Sequence, residues 1–147
     1  MKILIPEEVD FKISTTDLFV EYKERNSAKI KLESFLLEDF KQKEKRTTIQ
    51  IEFKLVAELK CISLNFQESN YENFEILDIN EENVSEYEFW VINGYHPSSG
   101  FYQIDDSHWL KESKERYDPR NRLNLKHYLI EGYDSYVELL ASNYVIN

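Results

Sequence analysis

Apolar and polar residues alternate one for one through TTIQIEFKLVAELKC, residues 47–61. Ile49, Ile51, Phe53, Leu55, Ala57, Leu59 and Cys61 fall on one side, with Gln50, Glu52, Lys54, Glu58 and Lys60 on the other. A period of two over that length predicts two strands or one bent strand with a buried face. Cys61, the sole cysteine, continues the apolar side and reads as a small buried hydrophobe. At Ile62 the apolar phase moves to even positions, through Leu64 and Phe66, which predicts a bulge or turn near residues 56–62.

Shorter runs that alternate, or that are β-branched and aromatic, predict further strands: KILI at 2–5, DFKIS at 10–14, LFVEYK at 18–23, KIKLESFLL at 29–37, NFEILDI at 73–79 and EYEFWVI at 86–92. LLEDFKQKEKR at 36–46 is an alternative short helix. Between EFWVI and GFYQI lie Asn93-Gly94 and Pro97-Ser98-Ser99-Gly100, turn-forming residues that predict a hairpin, with Gly100 at positive φ. After it, Asp105, Asp106 or Ser107 can cap a helix over SHWLKESKERY, which Asp118-Pro119 stops. At the chain end LKHYLIE and SYVELLA read as a hairpin joined through Gly132-Tyr133-Asp134 in preference to a helix. Without repeats or a Pro/Gly/Ser-rich linker, residues 1–147 read as one domain. The expected fold is α+β, predominantly antiparallel β, a sandwich or partly open barrel with one or two short helices.

Twenty-one aromatics against three Gly and three Pro strengthen the expectation of a packed, β-rich core. MKILIPEEVDF has only a short apolar run and no later run approaches membrane-spanning length, so a soluble, cytoplasmic protein is expected. One cysteine permits no internal disulfide, which suits a reducing compartment.

Charge changes the picture more. Residues 61–110 hold ten acids and no lysine or arginine, so the whole net charge of −10 belongs to that window. Such asymmetry implies a negative field over part of the surface. Phosphate binding needs clustered Lys and Arg, so nucleic acid is not an expected direct ligand; a cationic protein partner is. The expected partner-binding residues are Glu72, Glu75, Asp78, Glu81, Glu82, Glu86 and Glu88, with Tyr71, Tyr95 and Tyr102 as exposed aromatics that dock after electrostatic steering.

Chemistry-bearing motifs add little. His96, His108 and His127 with Asp105 and Asp106 are the candidate ligands, but no paired Cys or His at zinc spacing occurs, so no metal or cofactor is expected. HPSSG lacks the Gly-x-Ser-x-Gly elbow, and no glycine-rich phosphate loop ends in Lys-Ser or Lys-Thr, so no catalytic residue is assigned. Arg116, Arg120, Arg122 and Lys126 sit among acids and read as a solvated surface.

The order of GFYQIDDSHWL followed by LKHYLIEGYDSYVELLA resembles small acidic, β-rich immunity proteins of bacterial polymorphic toxin systems, over roughly residues 49–146. That resemblance implies a non-enzymatic protein that neutralises a cognate basic toxin, such as a nuclease, by occlusion. Two other readings stand beside it: a small-ligand or carbohydrate-binding β-sandwich with its site around His96, Trp90 and Trp109, and a hydrolase using the histidines of 94–110.

Overall fold

The computed structural model describes residues 2–25, 27–40, 45–63, 74–80 and 83–147. In chain order these form β1 (Lys2–Pro6), β2 (Phe11–Ile13), β3 (Phe19–Lys23), β4 (Ser27–Leu36), α1 (Leu37–Phe40), β5 (Arg46–Lys54), β6 (Glu58–Ile62) and β7 (Phe74–Ile76). They continue as α2 (Glu86–Asn93), β8 (Phe101–Asp105), α3 (His108–Tyr117), β9 (Lys126–Glu131), β10 (Tyr136–Ala141) and β11 (Asn143–Ile146).

Among the described residues the strands make two sheets, a six-stranded one in the order β6-β10-β9-β8-β1-β7 and a five-stranded one in which β11-β5-β4-β2 run side by side. The ten-residue β4 pairs with β2 through Ser34–Leu36 and with β3 through Ser27–Lys31, so its free side serves two short partners in succession. Every pairing is antiparallel except that of β1 with β7. The α+β, mainly antiparallel expectation therefore holds.

The alternating run at 47–61 divides between the two sheets, β5 lying beside β4 and β6 beside β10. Leu55, at φ 54, makes the break, and Ala57 N–H donates to the Leu140 carbonyl to start the new pairing. The apolar side of β5 (Ile49, Ile51, Phe53) packs with Phe11, Ala28, Ile30 and Leu32 against Phe101, Tyr128, Ile130, Val137, Leu139 and Ala141 of the other sheet. Phe53, Phe101, Tyr128 and Tyr144 meet here ring to ring, with centroids 4.8–6.0 Å apart. Phe53, Phe101 and Tyr128 are fully buried there, so truncating any of them to Ala would cost about 3–5 kcal/mol.

The shift of apolar phase at Ile62 has a different cause from the expected bulge. The register of β6 on β10 runs unbroken from Glu58↔Leu140 to Ile62↔Tyr136. What changes is the neighbourhood, because the six-stranded sheet is covered on both faces. Leu59 points to the core between the sheets, whereas Ile62 joins Leu4, Tyr102, Ile104, Leu129 and Tyr136 on the outer face. The central strand β10 is accordingly buried at all six positions.

Two expectations need correction here. Cys61 shares the inward parity of Leu59 but lies exposed, because it sits towards the end of an edge strand, beyond the well-packed core. The segment 86–92 is helix, not strand, so the expected hairpin through 93–100 is instead a helix, a loop and strand β8. Its cause is local. The Ser85 side chain accepts the Glu88 N–H at 3.1 Å, acids occupy the first turn, the Asn93 amide donates to the Phe89 carbonyl, and Gly94 closes the helix at φ 80 with its N–H on the Trp90 carbonyl. These caps satisfy the orphan backbone groups at both ends, and they outweigh the β preference of Tyr, Phe, Trp and Val.

Candidate functional site

Helix α2 is apolar on two sides. Phe89 and Trp90 are buried, while Val91 and Ile92 stand 52% and 66% exposed. Glu88, Val91 and Ile92 are spaced i, i+3 and i+4, so one solvent-facing side carries an acid beside two branched aliphatics. Glu75 and Asp78, on and just after β7, are exposed as well. On the sheet, Glu75 and Asp105 both lie opposite Ile3, one on each side of β1, forming an acid–isoleucine–acid row with Ile3 38% exposed.

Of the residues expected to bind a partner, Glu75, Asp78, Glu86 and Glu88 are thus at the surface. Tyr71, Glu72, Glu81 and Glu82 lie outside the described residues. Tyr95 is half-buried, edge-on to Phe89 with centroids 5.5 Å apart, so it braces the helix. Tyr102 is fully buried in the outer-face cluster and is not an exposed docking aromatic. Its even position on β8 places it beside Leu4 and Leu129, where burial, then the charges of Glu131 and Glu86, push its phenol well above the usual tyrosine range.

The loop after α2 is clasped to the helix's first turn. His96 Nδ1 accepts the Ser98 N–H at 3.0 Å, Ser98 Oγ–H donates to Glu86 Oε1 at 3.1 Å, and His96 Nε2 lies 3.6 Å from Glu86 Oε2. His96 is buried, with Trp90 edge-on at 5.2 Å. Burial, and then the charge of Lys12, lower its pKa to about 4 against the opposing pull of Glu86. With its one lone pair held by a backbone N–H, neutral His96 is placed to shape the loop and not to deprotonate Ser98. Ser99 is tied to Phe101 by its hydroxyl, which exchanges 3.2 Å bonds with that residue's N–H and C=O.

A second serine–histidine–glutamate chain was not visible in the sequence, because its members are 20 and 11 residues apart. Ser107 Oγ lies 2.6 Å from His127 Nδ1, and His127 Nε2 lies 2.8 Å from Glu138 Oε1, all three buried. Ser107 also accepts the Leu110 N–H at 3.0 Å as the N-cap of α3, so its own proton goes to Nδ1 and the Nε2–H to Glu138. The order polarises the hydroxyl, but the oxygen is closed beneath the helix start, where it anchors α3 to the sheet. A neighbouring anchor has Trp109 Nε1–H and Ser113 Oγ–H both donating to Glu58 Oε2, at 2.9 and 3.0 Å, with the Lys60 ammonium 3.8 Å from the Trp109 ring centroid. Trp90 with His96 and Trp109 with His127 are therefore two separate aromatic pairs. His108 is exposed and faces Glu112 at 3.2 Å.

Where β2 approaches the loop before β8 and the end of β9, there is an open cleft of about 430 Å³ lined by Lys12, Ser14, Ser98, Tyr102, Glu131 and Tyr133 among others. Ile13 N–H donates to the Ser99 carbonyl at 2.7 Å, which ties β2 of one sheet to the loop before β8 of the other, and Glu131 N–H donates to the Gly100 carbonyl at 2.9 Å, which continues the β8–β9 pairing. Gly100, at φ 94 as its turn position requires, is tight there: a Cβ would stand 3.0 Å from that of Ile13. The outward Val91 and Ile92 follow only from a helical 86–93, which Ser85-x-x-Glu88 ahead of Phe89, a capping-box pattern, signals in the sequence.

Among the described residues no group of three or more His, Cys, Asp or Glu is arranged to hold a metal ion, and no helix is long and apolar enough to cross a membrane. No family model, curated protein or solved structure matches the chain.

Proposed function

We propose that this protein is a non-enzymatic binding protein whose partner is a basic protein docked on the surface formed by β7, α2 and their flanks. The observation that carries the reading is α2, which turns Val91 and Ile92 to solvent beside Glu88 within a fifty-residue window that has no lysine or arginine. Exposed aliphatics on a short capped helix supply a desolvated anchor, and the exposed acids Glu75, Asp78 and Glu88 select a cationic surface and speed encounter with it. Aliphatic anchors take the role first expected of the tyrosines. In its specific form the proposal is a cytoplasmic immunity protein that occludes a cognate basic toxin, the activity implied by the resemblance over roughly residues 49–146.

A photocrosslinking amino acid at position 92, in the native host, tests it. The expected product is a single basic protein, lost when Glu88→Lys and Glu75→Lys are combined, that arrests growth when produced alone and is tolerated when co-produced with this chain. A crosslinked partner that is acidic, or whose capture ignores those charge reversals, overturns the docking surface; a basic partner harmless on its own overturns only the immunity role.

A further inference from the structure

The cleft between β2 and the ends of β8 and β9 is separate from the outward face of α2 and has its own polarity. Lys12 comes from the five-stranded sheet and is half-buried, and its ammonium makes no ion pair or hydrogen bond with any described residue. Ser14, just past the end of β2, lines the same cleft. The opposite wall comes from the six-stranded sheet: Glu131 at the end of β9, and Tyr133, 66% exposed, on the turn into β10. Both charged tips are near the cleft. The Lys12 charge is felt by His96, whose ring contacts Ser98 on the cleft wall, and the Glu131 charge is felt by the Tyr102 phenol, which also lines it.

A half-buried ammonium that meets no partner among the described residues is a ready receptor for a carboxylate, and a carboxylate with an exposed aromatic ring is the matching receptor for an ammonium. Lys12 and Glu131 bring one basic and one acidic side chain to the same cleft, which suits a ligand that carries both signs. From this arrangement we infer that the cleft is a binding site for a small zwitterion of the α-amino acid or dipeptide class, its carboxylate towards Lys12 and Ser14 and its ammonium towards Glu131 and Tyr133. A cleft of about 430 Å³ has room for such a molecule with its first water shell.

Isothermal titration of the full-length protein with the standard free amino acids and with alanine-containing dipeptides tests the inference. At least one should bind one-to-one, and Lys12→Met and Glu131→Gln should each weaken it about tenfold or more, as loss of one charge-assisted contact implies. With the wild-type protein, the amide and the N-acetyl derivatives of the same ligand should lose a similar factor, an arm that is independent of how the variants fold. No binding across the panel overturns the site, as does a ligand whose affinity survives both substitutions or both derivatisations. Binding of neutral saccharides in place of zwitterions would overturn the ligand class.

Discussion

Helices α2 and α3 have similar lengths, eight and ten residues, and each starts at a capping serine, yet they face their surroundings in opposite ways. Helix α3 sends polar groups inward: Ser107 meets His127, and Trp109 and Ser113 meet Glu58, while Lys111, Glu112, Glu115 and Arg116 mix charges of both signs on its solvent side. Helix α2 sends Phe89 and Trp90 inward and still has Val91 and Ile92 left for solvent, with Glu86 and Glu88 as the charged residues of the helix. A mixed-charge outer face satisfies itself in water, so α3 is an element of structure. An apolar and acidic outer face suits a cationic partner instead, and the proposed docking surface rests on that difference.

The largest test of that contrast falls on α3's anchor. His127→Ala removes the partner of the buried Glu138 carboxylate and of the Ser107 cap together, and should cost on the order of 3 kcal/mol or more in urea denaturation. A loss under about 1 kcal/mol would mean that α3 is held by something other than this chain of hydrogen bonds.

On the α2 side the clasp is sensitive to pH. His96 has a folded-state pKa of about 4 against an ordinary 6.5, so between those values the unfolded chain binds more protons and stability falls as pH falls. The contribution is complete above pH 6.5 and is lost progressively towards pH 4, amounting to about 3 kcal/mol at most. Denaturation measured across that window should show a shallower slope for His96→Gln than for the wild type; identical slopes would show that His96 titrates normally in the fold.

Smaller still is the difference between two glycines that flank the clasped loop. Both have positive φ, but a Cβ at Gly94 meets nothing within 4 Å whereas one at Gly100 meets Ile13 at 3.0 Å. Gly94→Ala should cost about 1 kcal/mol from backbone strain alone, and Gly100→Ala about 1 kcal/mol more as β2 is pushed from the loop. Equal melting temperatures for the two variants would remove the tight junction at the head of the cleft.

The sheets were legible in the sequence because their cause is local. Alternation from Ile49 to Leu59 and the Gly132-Tyr133-Asp134 turn specify strands whatever lies around them, and Ser107 with Asp118-Pro119 bounds α3 just as directly. Where the reading failed, a second layer had intervened. Ile62 breaks the alternation because it packs on the apolar outer face of the sheet while Leu59 packs on the inner one, and Tyr102 reads as a docking aromatic because nothing in GFYQI says that both faces of its strand are covered. At 86–92 aromatic and β-branched content masked caps that were present in plain sequence, Ser85 and Gly94. The concentration of acid in 61–110 was fully legible, since charge needs no fold to be counted, but the apolar centre it surrounds, Val91 with Ile92, appears only once that segment is known to be helical.

Stopped-flow association with the partner captured through position 92, at low and at high salt, tests the central claim that α2 and its flanking acids form the docking surface. The on-rate of the wild type should fall steeply with salt while the off-rate changes little; Glu75→Lys with Glu88→Lys should abolish most of that salt dependence, and Ile92→Ala should speed dissociation at an unaltered melting temperature. A salt-independent on-rate for the wild type, together with an unchanged off-rate for Ile92→Ala, would contradict it.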